Sequence, residues 1–317
     1  MVIIHFLPLF ALLQLPQSVV RFLSGEKNKQ KIQDGLYSSL TLVLITSLFE
    51  LTILIIFGCF FFKELNQIIV FIAWIIPLIC LNSILKYYLL SQQKQNIFAL
   101  IIILETYSKI LFFYIFLIIY DYGLVGAVLS ILLSNLLIEI LMIIFTLKKT
   151  GITHPTLKPI KEYLYFSLPL MPLVLTVWIV SSSDRVVIGF FKGATQVGYY
   201  SAGYNLGNLL FLFITVIGVT IRPILVKSYT EKKPNEVKQV LSHTYKYYLM
   251  VAIPSIFGIA AISKPLLKIL TISEIANNAY IIAPIVAIAI LLQGNTRFYE
   301  EILFLKKKTM IISKIWI

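Results

Sequence analysis

An all-α, polytopic transmembrane helix bundle is the fold class that this sequence predicts, and three observations carry the prediction. Of the 317 residues, 59% are hydrophobic and only 13% are charged, against about 25% charged residues in ordinary soluble domains. Mean hydropathy is +0.92. Apolar runs of about 20 residues recur along the whole chain, the length that crosses a hydrocarbon core of about 30 Å as a helix. None of these runs alternates as a membrane barrel strand would, so inside the membrane the backbone has to satisfy itself within helices.

Taken in order, the first span is expected at Val2–Leu23, with Pro8 and Pro16 inside it and Arg21 near its end. It lacks the basic start and the small-residue cleavage site of a signal peptide, so it reads as a retained helix. A polar stretch, Ser24–Asp34, separates it from spans at Leu36–Phe62, Ile68–Leu90, Ile97–Tyr120 and Leu124–Leu147, with KELN, SQQKQN and DYG between them. The next interruption, Lys148–Glu162, holds two prolines and a glycine, the composition of a seam. Spans resume at Tyr163–Phe191, Gly198–Val226, Val237–Ile262 and Asn278–Leu305. This predicts about nine full spans and a partial one, arranged as a first half 1–147, a cytoplasmic linker 148–162 and a second half 163–317. After the last lysine of KKKTMIISKIWI the chain would reach only about 13 Å as a helix, so an interrupted final helix is expected.

The formal net charge is +13, but the lysines sit in short gaps rather than in an aromatic-laced patch, which argues against nucleic acid. Lysines concentrate in alternate gaps, around Lys27, Lys86, Lys148, Lys232 and Lys306. That alternation puts the Lys-rich side in the cytoplasm of a multi-pass protein of the cell membrane, in contact with anionic lipid headgroups. Cys59 and Cys80 both lie in apolar runs and imply neither a disulfide framework nor a metal site. No cofactor motif is present. A faint internal repeat pairs Arg21 and the following GEKNKQKIQ with Arg222 and TEKKPNEVKQ, about two hundred residues apart. Each precedes a long apolar helix, as in transporters built from parallel repeats.

Charges inside spans are costly and so are functional candidates. Glu50 is expected to face an interior. Glu105 and Lys109 are four apart in the favourable order for an ion pair, which serves equally as self-neutralisation or as part of a substrate path. Arg297 with Glu300 and Glu301 repeats that choice. Glu139 and Lys246 lie near cytoplasmic ends and are expected to snorkel to water. Asp184 and Arg185 are adjacent, so on a helix they point about 100° apart. Gly198 with Ala202 and Gly203 with Gly207 have the spacing of closely approaching helices. Tyr199, Tyr200 and Tyr204 suit the outer membrane interface.

The stretch DRVVIGFFKGATQVGYYSAGYNLGN, from Asp184 to Asn208, resembles the signature that opens the second half of polysaccharide exporters of the multidrug, oligosaccharidyl-lipid and polysaccharide superfamily. LPQSVVRFLSGE, from Leu15 to Glu26, resembles the end of that family's second helix. Members have twelve to fourteen helices, so the resemblance implies that the family's first helix and last few are missing from this chain. It also implies flipping of a sugar chain on a polyprenyl carrier from the inner to the outer leaflet, with polysaccharide-assembly glycosyltransferases as possible partners. A phosphate or pyrophosphate anion cannot enter hydrocarbon unaided; a wet cleft between two halves, lined by Arg with its paired donors, would lower that barrier. Arg21, Lys109, Arg185, Arg222 and Arg297 are the candidate substrate-binding residues, with Glu50 and Asp184 for coupling or pairing. A drug or cation antiporter of the same superfamily is the alternative, against which the basic excess inside spans argues. A membrane-embedded glycosyltransferase or polymerase fits less well: the outer gaps are short and carry no paired carboxylates, and neither HExxH nor GxxxxGK occurs.

Overall fold

The computed structural model of the chain describes residues 2–61, 66–151, 156 and 158–305. They form helices throughout: α1 Val2–Leu12, α2 Leu15–Leu23, α3 Lys29–Phe61, α4 Asn66–Ser91, α5 Gln95–Phe113, α6 Gly123–Thr150 and α7 Ile160–Ser167. After these come α8 Met171–Lys192, α9 Ala194–Gly207, α10 Phe211–Thr230, α11 Pro234–Leu270, α12 Ser273–Ala279 and α13 Ile282–Leu305. Seven helical stretches are long and apolar enough to cross a membrane, or eight if the bent pair α1–α2 is one span. The remaining expected span, Gly198–Val226, falls on α9 and α10, where several side chains lie outside the described residues. So does the expected partial helix beyond Leu305.

Breaks occur where the sequence supplies a reason. The α1–α2 pair bends by 46° at Leu13 and Gln14, both in the left-handed region, and Pro16 then enters the first turn of α2, where its missing N–H costs nothing. The carbonyl freed at Ala11 is taken by the Thr46 hydroxyl of α3 at 2.7 Å. A π-helical turn, Tyr114–Ile119, ends α5. A 3-10 turn, Leu168–Leu170, with Pro169 inside it, joins α7 to α8.

The chain divides into two compact units, Met1–Trp178 and Ile179–Ile317. In the first, α4 packs against α1, α2, α3, α5 and α6 and buries Ile76, Cys80, Ile84, Tyr88 and Leu89. Cys80 is a buried free thiol. Outward faces carry side chains such as Phe49, Ile56 and Phe60, the surface that lipid wets in a membrane bundle. In the second unit, α9, α10, α11 and α13 enclose Leu210, Ile214, Tyr248, Val286 and Ile290. The two lysine-rich stretches of the faint repeat lead into α3, of 33 residues, and α11, of 37, the longest described helix of each unit.

The division falls inside α8, later than the seam expected at Lys148–Glu162. The physical reason is that this stretch is fastened to the first unit on both sides. Gln33 and Tyr37 of α3 donate to the carbonyls of Thr150 and Gly151, and Ser38 donates to that of Thr156. Beyond it, the Ser18 hydroxyl bonds to the Tyr163 carbonyl at 2.8 Å, while the Tyr163 ring stacks on Phe22 at 4.8 Å. Gly35 leaves room for the Tyr163 hydroxyl, which a Cβ there would meet at 2.3 Å.

Candidate functional site

The Asp184–Asn208 stretch folds as the end of α8, a turn at Gly193 and the whole of α9. Gly193 takes φ +81 with open space around it, a conformation that favours glycine. Asp184 and Arg185 then form a clasp with α9. The Tyr200 hydroxyl donates to Asp184 Oδ2, and the Arg185 amide donates to Asp184 Oδ1 at 2.8 Å. The Arg185 guanidinium bonds the Ser181 carbonyl at 2.8 Å, reaches Asp184 at 3.9 Å and lies 4.5 Å from the centre of the Tyr204 ring. Although neighbours on a helix point apart, Asp184 and Arg185 are thus joined through one carboxylate. Arg185 keeps its cation partly covered, with the side chain 19% exposed.

Adjacent tyrosines face different helices. Tyr200 serves the clasp, while the Tyr199 hydroxyl donates to Glu274 at the start of α12. Behind them α9 lies flush on the end of α12 and on α13: a Cβ on Gly203 would meet the Ala279 carbonyl of α12 at 2.5 Å, and one on Gly207 the Ala283 carbonyl of α13 at 2.4 Å. The close approach read from that spacing is therefore present. Gly198, by contrast, faces open space and performs no such packing. Tyr199, Tyr200 and Tyr204, whose type suits the outer membrane interface, act here as hydrogen-bond and ring partners, a signal legible only as the four-residue spacing of Tyr200 and Tyr204.

The other intramembrane charges are distributed over both units. Arg297 pairs with Glu300 at 3.0 Å. Arg21 is exposed at the end of α2, with its guanidinium 6.0 Å from the centre of the Phe166 ring. The side chain of Arg222 lies outside the described residues. Lys109 bonds Glu105 at 2.7 Å, as its spacing predicts, and Glu105 also takes Lys86 of α4. Lys86 had counted only as a loop cation; here it is drawn into the bundle.

Glu139 departs from the sequence reading. Instead of snorkelling it is 5% exposed, and its Oε2 has no hydrogen-bond partner among the described residues. It lines a cavity of about 260 Å³ between α3, α4 and α6, with Tyr37, Leu44, Leu85 and Thr146. Glu50, expected to face an interior, has one buried oxygen likewise without a partner. It sits one turn past Thr46, hence on the α3 face turned to the α1–α2 break. Among the described residues no three His, Cys, Asp or Glu side chains gather as a metal site would require.

Comparisons with known proteins bear on this arrangement. A family model described as polysaccharide biosynthesis protein matches residues 1–229, and one described as MatE matches residues 169–317. Over 99 residues the chain is 24% identical to the "probable low-salt glycan biosynthesis flippase Agl15" of Haloferax volcanii, covering 31% of this chain and 21% of that protein. The match thus spans about a fifth of that relative's length. An inward-facing multidrug resistance MATE family transporter of the MOP superfamily superposes with a TM-score of 0.72 at 15% identity, over 95% of this chain and 77% of that one. A MOP superfamily transporter from Pyrococcus furiosus, described as having a binding pocket of reversed polarity, gives 0.61 at 16% identity, over 95% and 75%. Identities this low establish the fold alone.

Proposed function

Because the chain belongs to the polysaccharide biosynthesis protein family, whose model matches residues 1–229, we propose that it flips an anionic, polyprenyl-linked oligosaccharide across the cytoplasmic membrane. The family and the MATE-like fold support membrane transport of the MOP type; the cargo is the finer part of the proposal. The observation that carries it is the Arg185 clasp. A guanidinium costs several kcal/mol at the depth of a bilayer, and here Asp184, Ser181 and Tyr204 hold one in a fixed pose. Asp184 has Tyr200 as a second donor, so it orients the cation without claiming all of it. The free edge of the fork suits two phosphate oxygens.

In this reading Arg21, Arg222, Arg297 and Lys109 are further candidate contacts for the anionic head group. The prenyl tail stays in lipid while the two halves alternate access around the polar head. Asp184 and Glu50 serve pairing or coupling, and glycosyltransferases of polysaccharide assembly supply the cargo. The chain acts as a carrier rather than a catalyst. A second reading, export of a lipophilic cation, is favoured by one observation: the carboxylate of Glu139, buried and unpaired on an apolar cavity wall, together with the MatE match over 169–317.

The test is expression of the protein in cells whose own exporter is deleted. Surface polysaccharide should return with the natural sequence and fail with Arg185→Ala at equal protein level. Normal export by Arg185→Ala removes that residue from the site. Extrusion of a lipophilic cation, lost on Glu139→Gln and insensitive to Arg185→Ala, establishes the second reading instead.

A further inference from the structure

A crevice of about 440 Å³ lies within the second unit, where α11 and α13 meet the end of α10. That is within the range of about 300–1,000 Å³ usual for ligand sites. Its long walls are apolar: Leu241 of α11, with Phe298 and Ile302 of α13. Tyr229, Tyr245 and Tyr299 also line it, and tyrosine is the residue that membrane proteins place at the boundary between chains and headgroups. At the mouth sits Lys238, exposed in the second turn of α11. Nearby, Lys233 pairs with Glu231 at 2.7 Å and lies 3.9 Å from Glu236. Lys238 itself has no ion pair among the described residues. At the other end, Asn295 carries a buried Oδ1 without a hydrogen-bond donor among the described residues. Seven residues separate Lys238 from Tyr245 on α11, so the walls run for about 10 Å along the helix axis.

We propose that this crevice holds one chain of an anionic phospholipid, with Lys238 against its phosphate. Apolar walls and a cation with no ion pair among the described residues at one end match an amphiphile inserted tail first, and the cation selects against a zwitterionic headgroup of zero net charge. Lysines near the membrane surface each contribute about 1 kcal/mol toward anionic lipid, which is about fivefold in affinity. The same residues would serve a bound lipid whether or not the protein flips sugars, so the inference stands apart from the cargo.

The experiment is native mass spectrometry of the purified full chain titrated with phosphatidylglycerol or phosphatidylcholine. Phosphatidylglycerol should bind about fivefold more tightly, and Lys238→Ala should erase the difference while leaving phosphatidylcholine unchanged. Leu241→Trp, which fills the crevice, should remove the preferred site for both lipids. Asn295→Leu should tighten binding, because a chain gains an aliphatic floor in place of an unpaired carboxamide. Weaker binding in Asn295→Leu would overturn the proposal in favour of a hydrogen-bonding occupant. Equal affinity of the two lipids, or a preference that survives Lys238→Ala, would overturn it as well. Melting temperatures of the three variants separate loss of the site from loss of the fold.

Discussion

Asp184 is the residue on which the clasp turns, since it accepts from both Tyr200 and the Arg185 amide. Removing the hydroxyl alone isolates one of those bonds: Tyr200→Phe is expected to cost about 1–2 kcal/mol, the range for side-chain hydrogen bonds between membrane helices strengthened by an ionised acceptor. Thermal unfolding in detergent reads this, and an unchanged melting temperature would show that the bond contributes nothing. Arg185→Lys keeps the charge but not the guanidinium held 4.5 Å over the Tyr204 ring, because an ammonium is a compact point charge. Export should fall between that of the natural protein and that of Arg185→Ala; full export with Lys would mean that charge alone suffices. The sequence showed Asp184 and Arg185 plainly, as charges where charges are expensive. It did not show Tyr200 and Tyr204 as their partners, because a tyrosine's amphipathic ring fits a membrane interface as well as a buried clasp.

For the helices themselves, the contrast between glycines is sharp. A Cβ on Gly207 would strike backbone, the Ala283 carbonyl at 2.4 Å, so α9 and α13 would have to part. Gly207→Ala should therefore destabilise by about 1–3 kcal/mol. Gly198→Ala meets nothing within 4 Å and should be neutral or stabilising by up to about 1 kcal/mol. A shared response of the two variants in melting temperature would contradict the α9–α13 packing. Before α3, Glu26 accepts the amides of Lys27 and Asn28, each at 2.9 Å. The Asn28 amide holds its carboxyl below the ordinary 4.5. A lowered folded value means that the ordering is complete above 4.5 and is lost as pH falls through the folded value. Amide exchange at Lys27 and Asn28, corrected for intrinsic rate, should lose protection only in that acid range; protection that is flat with pH would remove Glu26 from the turn. Helix positions were legible because apolar runs of membrane length are unambiguous. The fastening of Thr150, Gly151, Thr156 and Tyr163 to α3 and α2 was not, because Ser18, Gln33, Tyr37 and Ser38 bond to backbone carbonyls far along the chain, and no local pattern announces such partners.

Across the molecule, the balance of charge inside the spans bears on the cargo we propose. Lys86, Glu105 and Lys109 form one cluster with a cation in excess, and Glu139 lines its cavity with an Oε2 that has no hydrogen-bond partner among the described residues. Both the expected ion pair at Glu105 and the unexpected burial of Glu139 follow from one rule: in lipid a charge either finds a partner or withdraws into the bundle. Sequence spacing reveals the first outcome, because four residues bring side chains together on one helix. It misses the second, because withdrawal depends on which face the neighbouring helices cover. We propose that Arg21, Arg185, Arg222 and Arg297 each meet the anionic head group in a wet, positively lined passage during transport. The most direct measurement is to place cysteine at each of these positions in a background with Cys59 and Cys80 replaced. Each variant is then treated with a charged thiol reagent that cannot cross lipid. All four should react, and lipid-linked oligosaccharide should protect them. Failure to react, or reaction that the oligosaccharide leaves unchanged, would contradict the passage.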